Sequence, residues 1–140
     1  MNLASFGVSL GLVTFLAGGV LASPLSLLHS FASGTNNQSN SNAGIATDGT
    51  ILYGTTYGGG ANGVGTIYRI NSNGTDFHVV RSFAGEGADG ANPYGNLLLR
   101  GNALYGTTDN GGQFNNGTIY AMNTDGSDFR LLHVFDGSSG

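Results

Sequence analysis

The sequence predicts an all-β protein built from four-stranded antiparallel meanders of the β-propeller-blade type, about two blades plus one extra N-terminal strand. Three observations predict it. Leu52-Tyr53-Gly54-Thr55-Thr56 returns as Leu104-Tyr105-Gly106-Thr107-Thr108, an offset of 52 residues. The same offset carries Gly65-Thr66-Ile67-Tyr68 onto Gly117-Thr118-Ile119-Tyr120, and 49–85 match 101–137 at 18 of 37 ungapped columns. Within each period, short apolar runs are punctuated by Gly, Asn and Asp at hairpin spacing. No stretch carries a 3.6-residue apolar period.

Residues 1–22 read as a targeting segment rather than as fold. The run from Leu3 to Leu21 holds no charged residue and closes on Val20-Leu21-Ala22, near the small-x-small pattern of a signal peptidase site, so cleavage is expected after Ala22. An uncleaved membrane anchor stays open as the alternative, because the run is almost long enough to span a bilayer and lacks a cationic side chain before it. Either reading places residues 23–140, the tandem repeats, outside the cytoplasm, secreted or at the cell surface.

Residues 25–31 are the first strand candidate, because Leu27-Leu28-His29-x-Phe31 returns as Leu131-Leu132-His133-x-Phe135, with Val79-Val80-Arg81-Ser82-Phe83 between. The repeats therefore open on the last strand of a unit whose earlier part is absent. Residues 32–44 are polar loop, as is 84–95, the longest connection in the period. The second repeat shows the four strands best: 96–100, 103–108, 117–122 and 129–135. A two-residue turn, Gly101-Asn102, joins the first pair; Asp48-Gly49 lies at the corresponding turn of the first repeat, and such turns tolerate positive φ. Residues 109–116 form a Gly/Asn-rich loop, and 123–128 a further turn. In 129–135, Phe129, Leu131, His133 and Phe135 alternate onto one face. The glycine of Leu-Tyr-Gly-Thr-Thr is expected where backbone approaches closely near a crowded axis. The pairs Leu52/Leu104, Ile67/Ile119, Phe77/Phe129 and Phe83/Phe135 are expected to be buried in equivalent places, since matching positions of neighbouring repeats build one core.

Composition narrows the function. Only 9% of residues are charged, lysine is absent, arginine occurs four times, and the net charge is −4. That lacks the basic footprint of a nucleic-acid binder and of electrostatic docking on anionic lipid. With no cysteine there is neither a disulfide framework nor a thiolate metal site.

Leu-Tyr-Gly-Thr-Thr, the glycine loop after it (Gly58-Gly59-Gly60; Gly111-Gly112), Gly-Thr-Ile-Tyr, Leu-Leu-His-Ser-Phe and Asp89-Gly90-Ala91-Asn92-Pro93 together resemble the Gloeobacter–Verrucomicrobia tandem repeat. The resemblance covers roughly 25–140. It implies a propeller-like protein of the kind found secreted or anchored at bacterial surfaces, and it carries no catalytic residues over. Three departures stand out: the Asp-Gly-Ala-Asn-Pro position is degenerate at 37–41, there are only two and a fraction repeats, and no anchor follows Gly140. A full ring takes about four blades or more, so the chain is expected either to be a fragment lacking further repeats or to associate with copies of itself.

His29 and His133 share a repeat slot with Arg81, which favours a structural place on a strand over a catalytic or metal role. Residues 71–76 and 123–128 resemble pieces of a calcium loop. They begin on Asn, and the twelfth positions are Ser82 and Val134, so a hairpin turn is the better reading. Asp89 and Glu86 could do acid–base work on a glycoside, but loop acids are expected to be merely solvated. The 58–65 run precedes no lysine and opens no helix, so it is no phosphate loop. No catalytic residue, metal or cofactor is assigned. Tyr53/Tyr105 and Tyr68/Tyr120 are repeat-locked and expected to pack. Tyr57, Tyr94 and Phe114 lie in or beside loops with Asp109, and are the ligand-binding candidates, since exposed rings among amides and carboxylates suit carbohydrate. The plain alternative is that these rings cover a blade edge. The expected function is an exported structural or binding module at the bacterial surface, its partner a glycan or a protein. The competing reading is a piece of an extracellular propeller enzyme acting on polysaccharide.

Overall fold

The computed structural model describes residues 25–31, 41, 43–85, 87 and 89–138. The expected targeting segment lies outside them. Nine strands follow in order: β1 (Ala46–Thr47), β2 (Ile51–Thr56), β3 (Thr66–Asn71), β4 (His78–Ser82), β5 (Ala91–Pro93), β6 (Leu98–Arg100), β7 (Ala103–Asn110), β8 (Thr118–Asn123) and β9 (Arg130–Val134). Among the described residues there is no helix. β1-β2-β3-β4 form one antiparallel sheet; β7, β8 and β9 form the second, with β5 and β6 both paired to the outer edge of β7. The meander predicted for the second repeat is present, and neither sheet closes on itself among the described residues.

The repeated motifs acquire a physical meaning from the register. Thr56 faces Thr66 across β2 and β3, and Thr108 faces Thr118 across β7 and β8. Both pairs are buried and joined hydroxyl to hydroxyl, at 2.8 and 2.9 Å. Gly54 faces Tyr68, and Gly106 faces Tyr120. In each case the tyrosine hydroxyl and Cζ occupy the space a Cβ would need. The glycine therefore makes room for a ring from the neighbouring strand, an aromatic covering a side-chain-free site. The close approach expected near an axis is a side chain, not backbone.

The core lies between the two sheets. Tyr53 and Ile67 from the first sheet meet Leu104, Tyr120 and Met122 from the second, with Phe83 and Leu97 completing the cluster. Phe83 is 0% exposed and sits edge-on to Tyr120 and Phe129, at 5.3 and 6.3 Å between centroids.

Five expectations are corrected. Residues 25–31 form no strand, because a fourth strand pairs with a third. By the period that partner would be 14–19, which carry no Gly-Thr-Ile-Tyr pattern and lie outside the described residues. The 84–95 connection is not all loop: Ala91 and Pro93 pair with Asn110 and Thr108. Pairing with β5 also extends β7, so Asp109 and Asn110 lie on a strand rather than in the 109–116 loop. The alternation over 129–135 is broken by a bulge. Tyr120 pairs with Leu131 and Ile119 with His133, leaving Leu132 extra. Adjacent residues of β8 point to opposite faces, so Leu131 and His133 do too. Val80 makes the same bulge in β4. Finally, the paired slots are not equally buried. Phe83 is covered by the second sheet, while Phe135 is 41% exposed, because the second sheet's matching face is open among the described residues.

Candidate functional site

The seam between the repeats brings two of the four candidate residues together. Tyr57 follows β2, and Tyr94 follows β5, which the chain borrows from the predicted loop to bridge the sheets. Their rings meet edge to face, 6.3 Å apart with planes at 84°. Tyr94 is 62% exposed and Tyr57 half-buried.

Asn92 is the hinge that sets this geometry. Its backbone is left-handed, φ 55°, a conformation Asn tolerates better than most residues. Its N–H donates to the Val64 carbonyl at 2.7 Å, and its side-chain amide donates to the Tyr57 carbonyl at 3.0 Å. Asn110 then donates to Asn92 Oδ1 at 3.3 Å. The strand is pressed against the first repeat's loop: a Cβ on Gly65 (φ 108°) would lie 2.5 Å from Pro93 Cδ. An exposed ring thus stands on a rigid support rather than on a free loop.

A second set of contacts is copied from repeat to repeat. Arg81 lies over the Phe129 ring, 3.5 Å from its centroid. One period earlier His29 stacks on Phe77 at 3.7 Å, and Phe31 lies 5.1 Å from Tyr68. The histidine and arginine slot is therefore a stacking position, as its recurrence in the sequence suggested.

Residues 17–140 match the Gloeobacter/Verrucomicrobia repeat. The chain belongs to that family. No curated protein matches it.

Within this member of the Gloeobacter/Verrucomicrobia repeat family, the other two candidates stand differently. Asp109 is exposed at the end of β7, its carboxylate 3.5 Å from the Asn110 amide nitrogen, so it joins the Tyr57–Tyr94 seam through Asn110 and Asn92. Phe114 is 50% exposed on the β7–β8 loop and makes no ring contact with either tyrosine. By the period Asp109 is the counterpart of Tyr57, and Phe114 of Asn62. Tyr57 and Asp109 therefore open two nominally equivalent connections with different chemistry, and Phe114 stands apart from the seam.

Sequence reasoning missed Asn92, Asn110 and the Arg81–Asp89 pair. Asp89 is not a solvated loop acid: it is 9% exposed, accepts from the Arg81 guanidinium, and accepts from the Ala84 N–H at 2.7 Å. Glu86 lies outside the described residues. The signal available was the Asp-Gly-Ala-Asn-Pro motif itself, whose Asp and Asn both bind across the seam.

The turns at 71–76 and 123–128 close on their own side chains at Asn73 and Asp125. Asn73 Oδ1 accepts from the Thr75 N–H, and Asp125 Oδ1 accepts from the Ser127 N–H and hydroxyl. The Ser127 bonds hold the Asp125 carboxyl below the usual range; Ser138 does the same for Asp136, and the Ile51 and Thr50 N–H groups for Asp48. Burial pushes the Tyr120 phenol well up, against a smaller opposing effect of Arg81. Among the described residues its hydroxyl has no hydrogen-bond partner. Among the described residues, no three His, Asp or Glu side chains converge as metal ligands.

Proposed function

We propose that this chain is an exported bacterial surface protein whose sheets stack as propeller-type blades and present the Tyr57–Tyr94 seam to a glycan. The observation that carries the reading is the exposed Tyr94 ring, buttressed edge-on by Tyr57, with the Asn92, Asn110 and Asp109 side chains linked in series from the Tyr57 carbonyl. A sugar ring offers an apolar C–H face and peripheral hydroxyls. A rigid exposed aromatic takes the first, and amides and a carboxylate take the second. The low charge suits a neutral polymer better than a charged one.

A glycan array probed with the parent chain and with Tyr94→Ala tests this. Tyr94 is mostly exposed, so its removal should change stability by no more than about 0.5 kcal/mol. Retention on a defined set of neutral glycans is expected for the parent, with at least about tenfold weaker retention for the variant, as for loss of an anchoring aromatic. Equal retention by the two chains, or none by the parent, refutes the reading.

A further inference from the structure

The two faces of each sheet have different jobs, and among the described residues one face of the second sheet is open. In the first sheet, Ala46, Tyr53, Thr55, Ile67 and Phe83 face the second sheet, and each is at most 9% exposed. One period on, the same face of the second sheet carries Leu98, Tyr105, Thr107, Ile119 and Phe135. Leu98 is 61% and Phe135 41% exposed, Thr107 is exposed, and Tyr105 and Ile119 are half-buried. Beside Phe135 lies a depression of about 630 Å³ running from His133 to Ser138, with Asn116 on its far wall. In the first repeat the corresponding place holds Asp89 on Arg81 and Ala84.

The opposite face of the first sheet shows what such a surface accepts. There Tyr68 and Phe77 receive Phe31 and His29 from residues 25–31. That segment has almost the sequence of 131–135: Leu27-Leu28-His29-Ser30-Phe31 against Leu131-Leu132-His133-Val134-Phe135. The two also share an internal arrangement. His29 and Phe31 meet edge-on at 5.0 Å and 78°, His133 and Phe135 at 4.7 Å and 74°. Residues 25–31 join no ladder and make no backbone hydrogen bond among the described residues.

We infer that two copies of this chain join head to tail, His133 and Phe135 of one seating on Tyr68 and Phe77 of the other in place of its residues 25–31. The contact continues the interface that already joins the first sheet to the second, with Phe135 in the part of Phe83 and His133 in that of Arg81. The tethered segment has the advantage of effective concentration. The incoming sheet brings Leu98, Tyr105 and Ile119 as well, which a single extended segment does not.

Sedimentation of the purified full chain over a range of concentrations tests this, with Phe135→Asp and Phe31→Ala beside it. Phe135 is exposed, so the first variant should fold. The parent is expected to associate with rising concentration. Phe135→Asp should weaken that association by about tenfold or more, as for a central interface aromatic, and Phe31→Ala should strengthen it by loosening the competitor. The native chain has no cysteine, so a Phe135→Cys chain mixed with a Phe77→Cys chain should form the mixed disulfide, and a Ser127→Cys chain should not. Should Phe77→Cys fail to fold, the sedimentation pair decides alone. A parent monomeric at every concentration, or association indifferent to Phe135→Asp, overturns the inference.

Discussion

Phe83 and Phe135 occupy one repeat position in two environments, so the same truncation should give two different results. Phe83 is fully buried against Tyr120 and Phe129. Phe83→Ala removes a buried ring and leaves a cavity, which costs about 3–5 kcal/mol. The two edge-on contacts, at roughly 0.5–1.5 kcal/mol each beyond area burial, favour the upper half of that range. A domain of this size has about 5–15 kcal/mol in all, so the loss is a large fraction of the whole. Phe135 already exposes 41% of its surface, and among the described residues its one ring contact is with His133. Phe135→Ala should cost under about 1 kcal/mol. Urea titration followed by far-ultraviolet circular dichroism measures both; tryptophan fluorescence is not an option, since the chain has none. Dilute protein keeps association between copies out of the comparison. Equal losses at the two positions, or a Phe83→Ala loss under about 0.5 kcal/mol as at a surface site, would refute the packing of the second sheet on the first.

Three further outcomes are expected. Gly106→Ala places a methyl 2.5 Å from Tyr120 Cζ and 3.1 Å from Leu97 Cδ2, and should destabilise by about 1–3 kcal/mol through overpacking; a neutral melt would show that the ring has somewhere to go. Arg81→Ala strands the mostly buried Asp89 carboxylate and uncovers Phe129, a loss of about 2–3 kcal/mol given the partial exposure of the arginine. Adding Asp89→Asn should cost less than its effect in the parent, and strict additivity in that cycle would deny the pairing. Asp125 has its folded carboxyl lowered from 3.8, so it stabilises above that value and the contribution fades as pH falls through the lowered value. The melting-temperature gap between parent and Asp125→Ala should therefore be full at neutral pH and close in strong acid; a gap that widens on acidification contradicts the turn geometry.

Much of the strand architecture was legible because its determinants recur within one period. Gly54 with Tyr68, and Thr56 with Thr66, sit on strands joined by a short loop, so their pairing is written locally and then written again 52 residues later. What was illegible depends on more than one strand. The bulges at Val80 and Leu132 belong to a register, and register is a property of two strands together. β5 contains Pro93, which reads as a loop residue; it is a strand because the edge of β7 is there to receive it. At the candidate site, the exposed rings could be picked out as loop aromatics, and Tyr57 and Tyr94 do meet. Asp109 and Phe114 were grouped with them by composition alone. The seam that separates Phe114 from the tyrosines follows from Asn92, whose part is set by a backbone angle and two carbonyls.

The extra residue in β4 decides how units of this kind can be joined at all. In an unbroken strand Phe77, Val79, Arg81 and Phe83, all odd-numbered, would crowd one side. The fourth strand would then serve one face of the sheet alone. With Val80 inserted, Phe77 and Val79 serve the neighbour behind while Arg81 and Phe83 serve the neighbour ahead. Every unit thus acquires a donor side and an acceptor side that are not interchangeable, and growth has a direction. An arrangement with that polarity ends in a ring if the turn per unit divides a full circle, and otherwise winds on as an open spiral. Whether a stack of these sheets is finite is therefore set by one angle, and a single valine out of register lets the outermost strand take part on both sides of it.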